Sequence, residues 1–238
     1  MKRRAVVVVL VMSTLLCVAG ESGRAQERMF SVFLKGNLTT SGSLFPNPGA
    51  TDPLARAQSY GFTDFFGYGF EIQYNLAGTN LSLGVSADVI RSTQTRTLIA
   101  AAHRAVPVDD GFRMIPIELT GYFRIPITEG SFGVFMGGGV GVYYGERQYS
   151  LAGVDAPVVS STPGYGIHVL GGVRYHFTDR FSLSTELKFR DAHFESTNTF
   201  TQPQVRYGDI IVNLPQKPFL SSIHTDGMVV QLGAAFSL

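Results

Sequence analysis

Few residues in this chain have the types and spacing to do chemistry. The first candidate is His193-Phe194-Glu195-Ser196, with an imidazole and a hydroxyl three positions apart. A serine nucleophile needs a base within hydrogen-bond reach and a third group to orient that base. Residues three apart on a regular strand point to opposite faces, so this pair meets only across a bulge or in a loop. The second candidate is His168 with His176, on one strand face but eight positions apart. At roughly 3.3 Å per residue they lie about 26 Å from each other, too far to share a metal ion. The third is Gly139-Val140-Gly141, which has the glycine content of a phosphate loop. Its following spacing is wrong, and no helix follows whose N-terminus could hold an anion. Glycine in such a strand makes room for a facing ring such as Tyr122. The expectation is therefore no catalytic residue, no metal ligand, no cofactor and no enzymatic activity.

A larger set of charges stands apart from these motifs. Glu71, Asp88, Glu118 and Glu186 are acidic, and Lys35, Arg124, Arg174, Lys188 and Arg190 are basic. If they share a narrow interior with little water, charges of opposite sign should pair. The expected role is a structural plug; a gated ion path is the alternative.

The elements that must position these residues show a period of two. Tyr68, Phe70, Ile72, Tyr74 and Leu76 alternate with Gly67, Gly69, Glu71, Gln73 and Asn75. Leu81 to Val89, Ile115 to Phe123, Phe132 to Val142, Tyr165 to Tyr175, Phe181 to Phe189 and Met228 to Phe236 repeat the pattern, as do Val32, Leu34 and Leu38 near the start. Strict alternation marks strands with two different faces. Eight such segments result, each long enough for the roughly 9–11 residues a tilted strand needs to cross a bilayer. Helical periodicity is missing, and no run of 18 apolar residues follows the leader. The connections alternate in length. Residues 77–80, 126–131 and 178–180 are short; residues 40–64, 93–111, 147–163 and 195–226 are long. Within the last, Asp209 to Leu214 is apolar enough to be a strand extension beyond the membrane, or a partner-binding edge.

The first residues set the compartment. Lys2, Arg3 and Arg4 precede an apolar stretch at 5–16, and Gly23-Arg24-Ala25 fits a small-x-small cleavage site. This is a secretory leader over residues 1–25, leaving residues 26–238 as one barrel domain. The only cysteine, Cys17, lies within the leader. Removing Lys2, Arg3, Arg4, Arg24 and Glu21 takes 19 basic and 18 acidic residues to 15 and 17, a net charge of −2. No polybasic run points to nucleic acid.

Alternation alone does not separate a membrane barrel from a soluble lipocalin-like one. Two features favour the membrane. The polar face is mostly Gly, Ser and Thr, which suits a narrow eight-strand interior better than a water-facing exterior. Aromatic residues of the apolar face also cluster at strand ends. Tyr74, Phe123, Phe132, Tyr175, Phe181 and Phe236 lie toward the short turns; Tyr68, Tyr144, Tyr165 and Phe189 lie toward the long connections. These are the two interfacial girdles of a bilayer-spanning barrel. The expected fold is all-β, an eight-stranded antiparallel up-and-down transmembrane β-barrel.

Ile115-Pro116-Ile117-Glu118-Leu119, Gly137 to Gly145, Leu187-Lys188-Phe189-Arg190 and the terminal Val230-Gln231-Leu232-Gly233-Ala234-Ala235-Phe236 carry a further likeness. In these stretches the chain resembles the OmpA/OmpX-like group of bacterial outer-membrane β-barrel proteins. The resemblance implies a place in the outer membrane of a Gram-negative bacterium, contact with its lipid, and insertion by the barrel-assembly machinery. That group usually ends on an aromatic residue; here Phe236 stands two positions before Leu238 on the same face. The expected role is a barrel used as an anchor, with four long surface loops serving adhesion, protection or binding of a surface partner. The leading alternative is a lipid-modifying enzyme. Some outer-membrane lipid A deacylases place His and Ser two apart on one barrel face, where His193 and Ser196 are three apart.

Overall fold

The computed structural model describes residues 29–99, 105–126 and 131–238. The leader at 1–25 lies outside them. In chain order the strands are β1 (Phe30–Phe45), β2 (Tyr60–Asn75), β3 (Leu81–Ile99), β4 (Ala105–Ile125), β5 (Phe132–Leu151), β6 (Val154–Asp155), β7 (Val158–Thr162), β8 (Gly164–His176), β9 (Phe181–Arg190), β10 (His193–Asn198), β11 (Gln204–Tyr207), β12 (Ile210–Asn213), β13 (Phe219–His224) and β14 (Met228–Ser237). One short helix, α1 (Pro53–Ala57), lies on the surface, its first turn held by the Asp52 carboxylate accepting from the Leu54 N–H at 3.0 Å.

Eight strands close a ring in the order β14-β9-β8-β5-β4-β3-β2-β1, each antiparallel to its neighbours. The ring shuts between β1 and β14, from Ser31 opposite Ser237 to Thr39 opposite Val229. Closure leaves no unpaired edge in hydrocarbon, where a bare N–H or C=O is costly. The expected eight-stranded barrel is present, and the three short turns join β2 to β3, β4 to β5 and β8 to β9.

Apolar side chains face outward through this ring. Leu34, Phe70, Ile72, Leu83, Val85, Leu119, Val140, Ile167, Val169, Leu187 and Leu232 are all exposed, Leu119 at 51%. A water-soluble protein would bury such a set. The girdles stand where the sequence puts them: Tyr68 (70% exposed), Tyr144, Tyr165 and Phe189 at one rim, and Tyr74, Phe123, Phe132, Tyr175 and Phe181 at the other. Phe177 joins the second rim, its ring 4.7 Å from Tyr175 and 5.8 Å from Phe181.

The connections expected to be long loops are largely strand. β1 runs to Phe45, β2 begins at Tyr60, β3 and β4 pair from Ile99–Ala105 onward, and β5 continues to Leu151. The walls therefore rise past the girdle into a second tier. There β13, which leads into β14, pairs with β1 and β10; β10, which follows β9, pairs with β7; and β7 leads into β8. The stretch 209–214 is not a barrel strand extension either. Its residues 210–213 form β12, which makes a separate two-stranded hairpin with β11. Above Tyr143 opposite Gly164, β5 and β7 share no main-chain ladder.

Candidate functional site

The interior is stacked in layers, and the lowest is ionic. The Lys35 ammonium lies 2.5 Å from Glu71 and 3.0 Å from Glu186. Lys188 donates to Glu118 at 2.6 Å, and Tyr143 donates to the other oxygen of Glu118 at 3.3 Å. All five charged groups are almost fully buried. Gln73 donates to Glu71 at 2.6 Å and accepts from Arg174 at 3.1 Å. The Arg174 guanidinium also lies over the Phe33 ring at 4.6 Å, a cation–π contact in a desolvated place. Asn37 donates to Asp88, Arg190 donates to Thr39, and His168 bonds Thr120 at 2.9 Å. Tyr122, Phe135 and Leu170 fill the space toward the short-turn end.

Above this layer the interior turns apolar. Leu44, Phe62, Phe65, Ile90, Phe112, Met114, Tyr143, Phe194 and Ile223 form one buried cluster across the lumen. Phe112 sits at its centre, edge-on to Phe62 and Phe65 at 5.3 and 5.2 Å. Phe194 reaches into the cluster from β10 because Gly145 faces it: a Cβ at 145 would strike the ring.

Next comes a single buried cation. Arg147 makes a bidentate pair with Asp110 at 2.9 and 2.7 Å and donates to Ser221 at 2.6 Å. Its backbone N–H donates to the Ser196 hydroxyl, and its carbonyl accepts from Asn198. These two side chains of β10 bond to β5 where no ladder joins β5 to β7. A second apolar core lies beyond, made of Val106, Val108, Leu151, Ala156, Phe200 and Leu214 with Ile210 and Val212 against it. The apolar residues at 210 and 212 thus pack inward; Ile211 alone of the three is exposed.

The outer wall of the tier carries a concentration of reactive side chains off the lumen. His193 pairs in register with His224, and Glu195 with Ser222. The two imidazoles stack at 5.4 Å and 19°. Ser222 Oγ and His224 Nε2 lie 3.1 Å apart, and Phe45 meets the His224 ring edge-on at 5.1 Å. Burial and then the neighbouring His193 hold the His224 imidazole below its ordinary range, against the opposite pull of Asp226, Asp191 and Glu195. His224 is therefore neutral near pH 7 and able to accept a proton.

The sequence-derived candidates divide cleanly. His193 faces outward while Ser196 is fully buried beside Arg147, so they lie on opposite faces as their spacing requires. Of the nine charges expected in the lumen, eight are inside; Arg124 is exposed at the short-turn mouth instead, near the end of its strand. Gly139 and Gly141 are strand glycines, but the ring over Gly141 is Tyr143; Tyr122 lies against Gly84 and Gly137. Among the described residues, no group of three or more His, Cys, Asp or Glu is placed to hold a metal ion. Sequence reasoning missed the Arg147–Asp110 pair and the Ser222–His224 pair. Both lie in segments read as loop, where spacing by two carries no facing information. The signal present was alternation continuing past Gly111 on β4.

No family model matches the chain, and no curated protein matches it. Solved structures do. The outer membrane protein OprG from Pseudomonas aeruginosa superimposes with a TM-score of 0.54 at 13% identity, covering 89% of this chain and 97% of that one. Neisserial surface protein A gives 0.47 at 15% identity over 88% and 97%. In fold, the chain is a closed eight-stranded antiparallel β-barrel similar to that of the outer membrane protein OprG.

Proposed function

We propose that the barrel is a closed, non-enzymatic anchor, and that its raised tier is the working part, held outside the cell as a rigid platform for adhesion, protection or partner binding. The short turns then face the periplasm, with the start of β1 and the end of β14 on that side, as length alternation implies. The carrying observation is that the lumen is filled through its height, by paired charges and then by the Phe112 cluster. Eight strands enclose a space just wide enough for side chains. Biogenesis through the barrel-assembly machinery fits the terminal strand β14, with Val230, Leu232, Ala234 and Phe236 on its lipid side.

Purified protein in a planar bilayer should show no large steady open state. Steady conductance on the scale of a general porin would overturn the closed anchor. The platform is tested on cells: replacing residues 204–213 by a short Gly-Ser linker should remove surface binding while the barrel still resists cold SDS on a gel. Surface binding unaffected by this and by similar edits to the tier would place the work elsewhere.

A further inference from the structure

The outward row just past the tyrosine rim is divided by charge. On β3 and β4 its members are Arg91 and Arg113, directly opposite each other. They stand two residues beyond Val89 and Ile115, whose own partners are the girdle residues Tyr68 and Tyr144. Across the barrel, the first outward residues past Phe189 and Met228 are the exposed Asp191 and Asp226. We propose that Arg91 and Arg113 bind the phosphate monoester of an outer-leaflet lipid, whose acyl chains lie in grooves of the wall below them.

Like charges directly opposite on a sheet destabilise it, and an anion held between them removes that cost. Among the described residues, no ion pair or side-chain hydrogen bond engages either guanidinium. The Arg113 Nε–H is buried with no acceptor. Glu146 faces Arg113 from β5, one carboxylate beside two guanidinium groups. Depth makes the anion a lipid's, since headgroups begin where the girdle ends. Number makes it a monoester. Each arginine fork takes two phosphate oxygens, and two forks need more than the two free oxygens of a phosphodiester. A monoester offers three, with a charge of about −1.5 to −2 near pH 7.

The wall beneath fits the rest of such a molecule. Two apolar grooves, of about 590 and 510 Å³, lie on β3, β4, β5 and β8 below the arginines. The nearer runs past Ile117, Leu119 and Val140, the farther past Phe123, Met136 and Val169. Strand β4 passes through both, so Arg113 and the groove residues 117–123 of odd number share its outward face. Gly121 and Gly138, opposite in register, interrupt the outward side chains there. A Cβ at Gly121 would meet nothing nearer than 3.8 Å. The glycine therefore leaves room on the lipid side rather than for neighbouring protein atoms. The lumen takes no part, so conductance tests the closed anchor separately. The choice of leaflet rests on the short turns facing the periplasm, which surface labelling tests by itself.

The full-length protein, folded in detergent, should be titrated with lipid A bearing phosphate monoesters, with phosphatidylglycerol and with inorganic phosphate. Native mass spectrometry counts the bound lipid. Lipid A should bind about 10-fold or more tighter than phosphatidylglycerol, and inorganic phosphate should not displace it. Arg91→Gln combined with Arg113→Gln should weaken lipid A about 10²-fold. Arg56→Gln, on the surface helix α1, should leave it unchanged. Gly121→Leu fills the groove and should weaken binding about 3–10-fold with both arginines in place. All variants should still resist cold SDS. A double arginine variant that binds lipid A like the wild type, or equal affinity of the wild type for the two lipids, would overturn the monoester site. Displacement by inorganic phosphate would make it a site for a free anion and overturn the lipid assignment. Undiminished binding by Gly121→Leu would overturn the groove.

Discussion

Strand β4 passes through both halves of the molecule, and the halves are inverted copies in polarity. In the upper half its inward side chains are Val106, Val108, Asp110, Phe112 and Met114, and its outward ones include Pro107, Asp109 and Arg113. In the lower half the inward set is Glu118, Thr120 and Tyr122, and the outward set is Ile117, Leu119 and Phe123. Even-numbered positions point inward throughout, with no slip in pairing to β5 from Val108 to Ile125. What changes is the solvent outside. Water around the tier lets the apolar side chains collect in the interior; lipid around the belt draws them out and leaves the interior to polar groups.

The comparison can be broken from either side. Phe112→Ala empties the centre of the upper core and should cost about 3–5 kcal/mol. The expected sign is faster proteolysis of the tier while the belt still resists cold SDS. Lys188→Met strands the buried Glu118 carboxylate below and should also cost about 3–5 kcal/mol, with the double change Lys188→Met, Glu118→Leu recovering most of it. Urea unfolding into vesicles measures both. A double variant no better than the single one would deny that the lower half is organised by paired charge.

The outward face gives a finer contrast. Leu119→Arg, at mid-belt, should destabilise by about 2–4 kcal/mol. Thr97→Arg, exposed on the tier wall, should stay within about 0.5 kcal/mol. Similar costs at the two positions would mean that both halves meet the same solvent.

The belt was legible in the sequence because lipid and lumen impose opposite demands on adjacent residues, so Leu119 beside Glu118 reads as a strand at once. The tier was not. Its inward residues mix Arg147 and Ser196 with Phe112 and Phe194, and its outward ones mix Thr97 and Glu195 with Val159 and Ile211. Averaged over a few positions, such strands look like loop. Face assignment survived wherever a strand was assumed, which is why His193 and Ser196 part as expected. The Ser222–His224 pair stayed hidden because its contact depends on β13 pairing with both β1 and β10, partners distant in sequence.

The inversion along β4 is tested most directly by depth. The chain beyond residue 25 contains no cysteine, so single cysteines can be placed at Pro107, Asp109, Arg113, Ile117, Leu119 and Phe123 in turn. In intact cells a water-soluble maleimide should label positions 107, 109 and 113 and spare 117 and 119. In vesicles of brominated lipid, a fluorophore at 117 or 119 should be quenched and one at 109 should not. Uniform labelling along the strand, or quenching at 109 equal to that at 119, would contradict a barrel whose outward face changes solvent partway up.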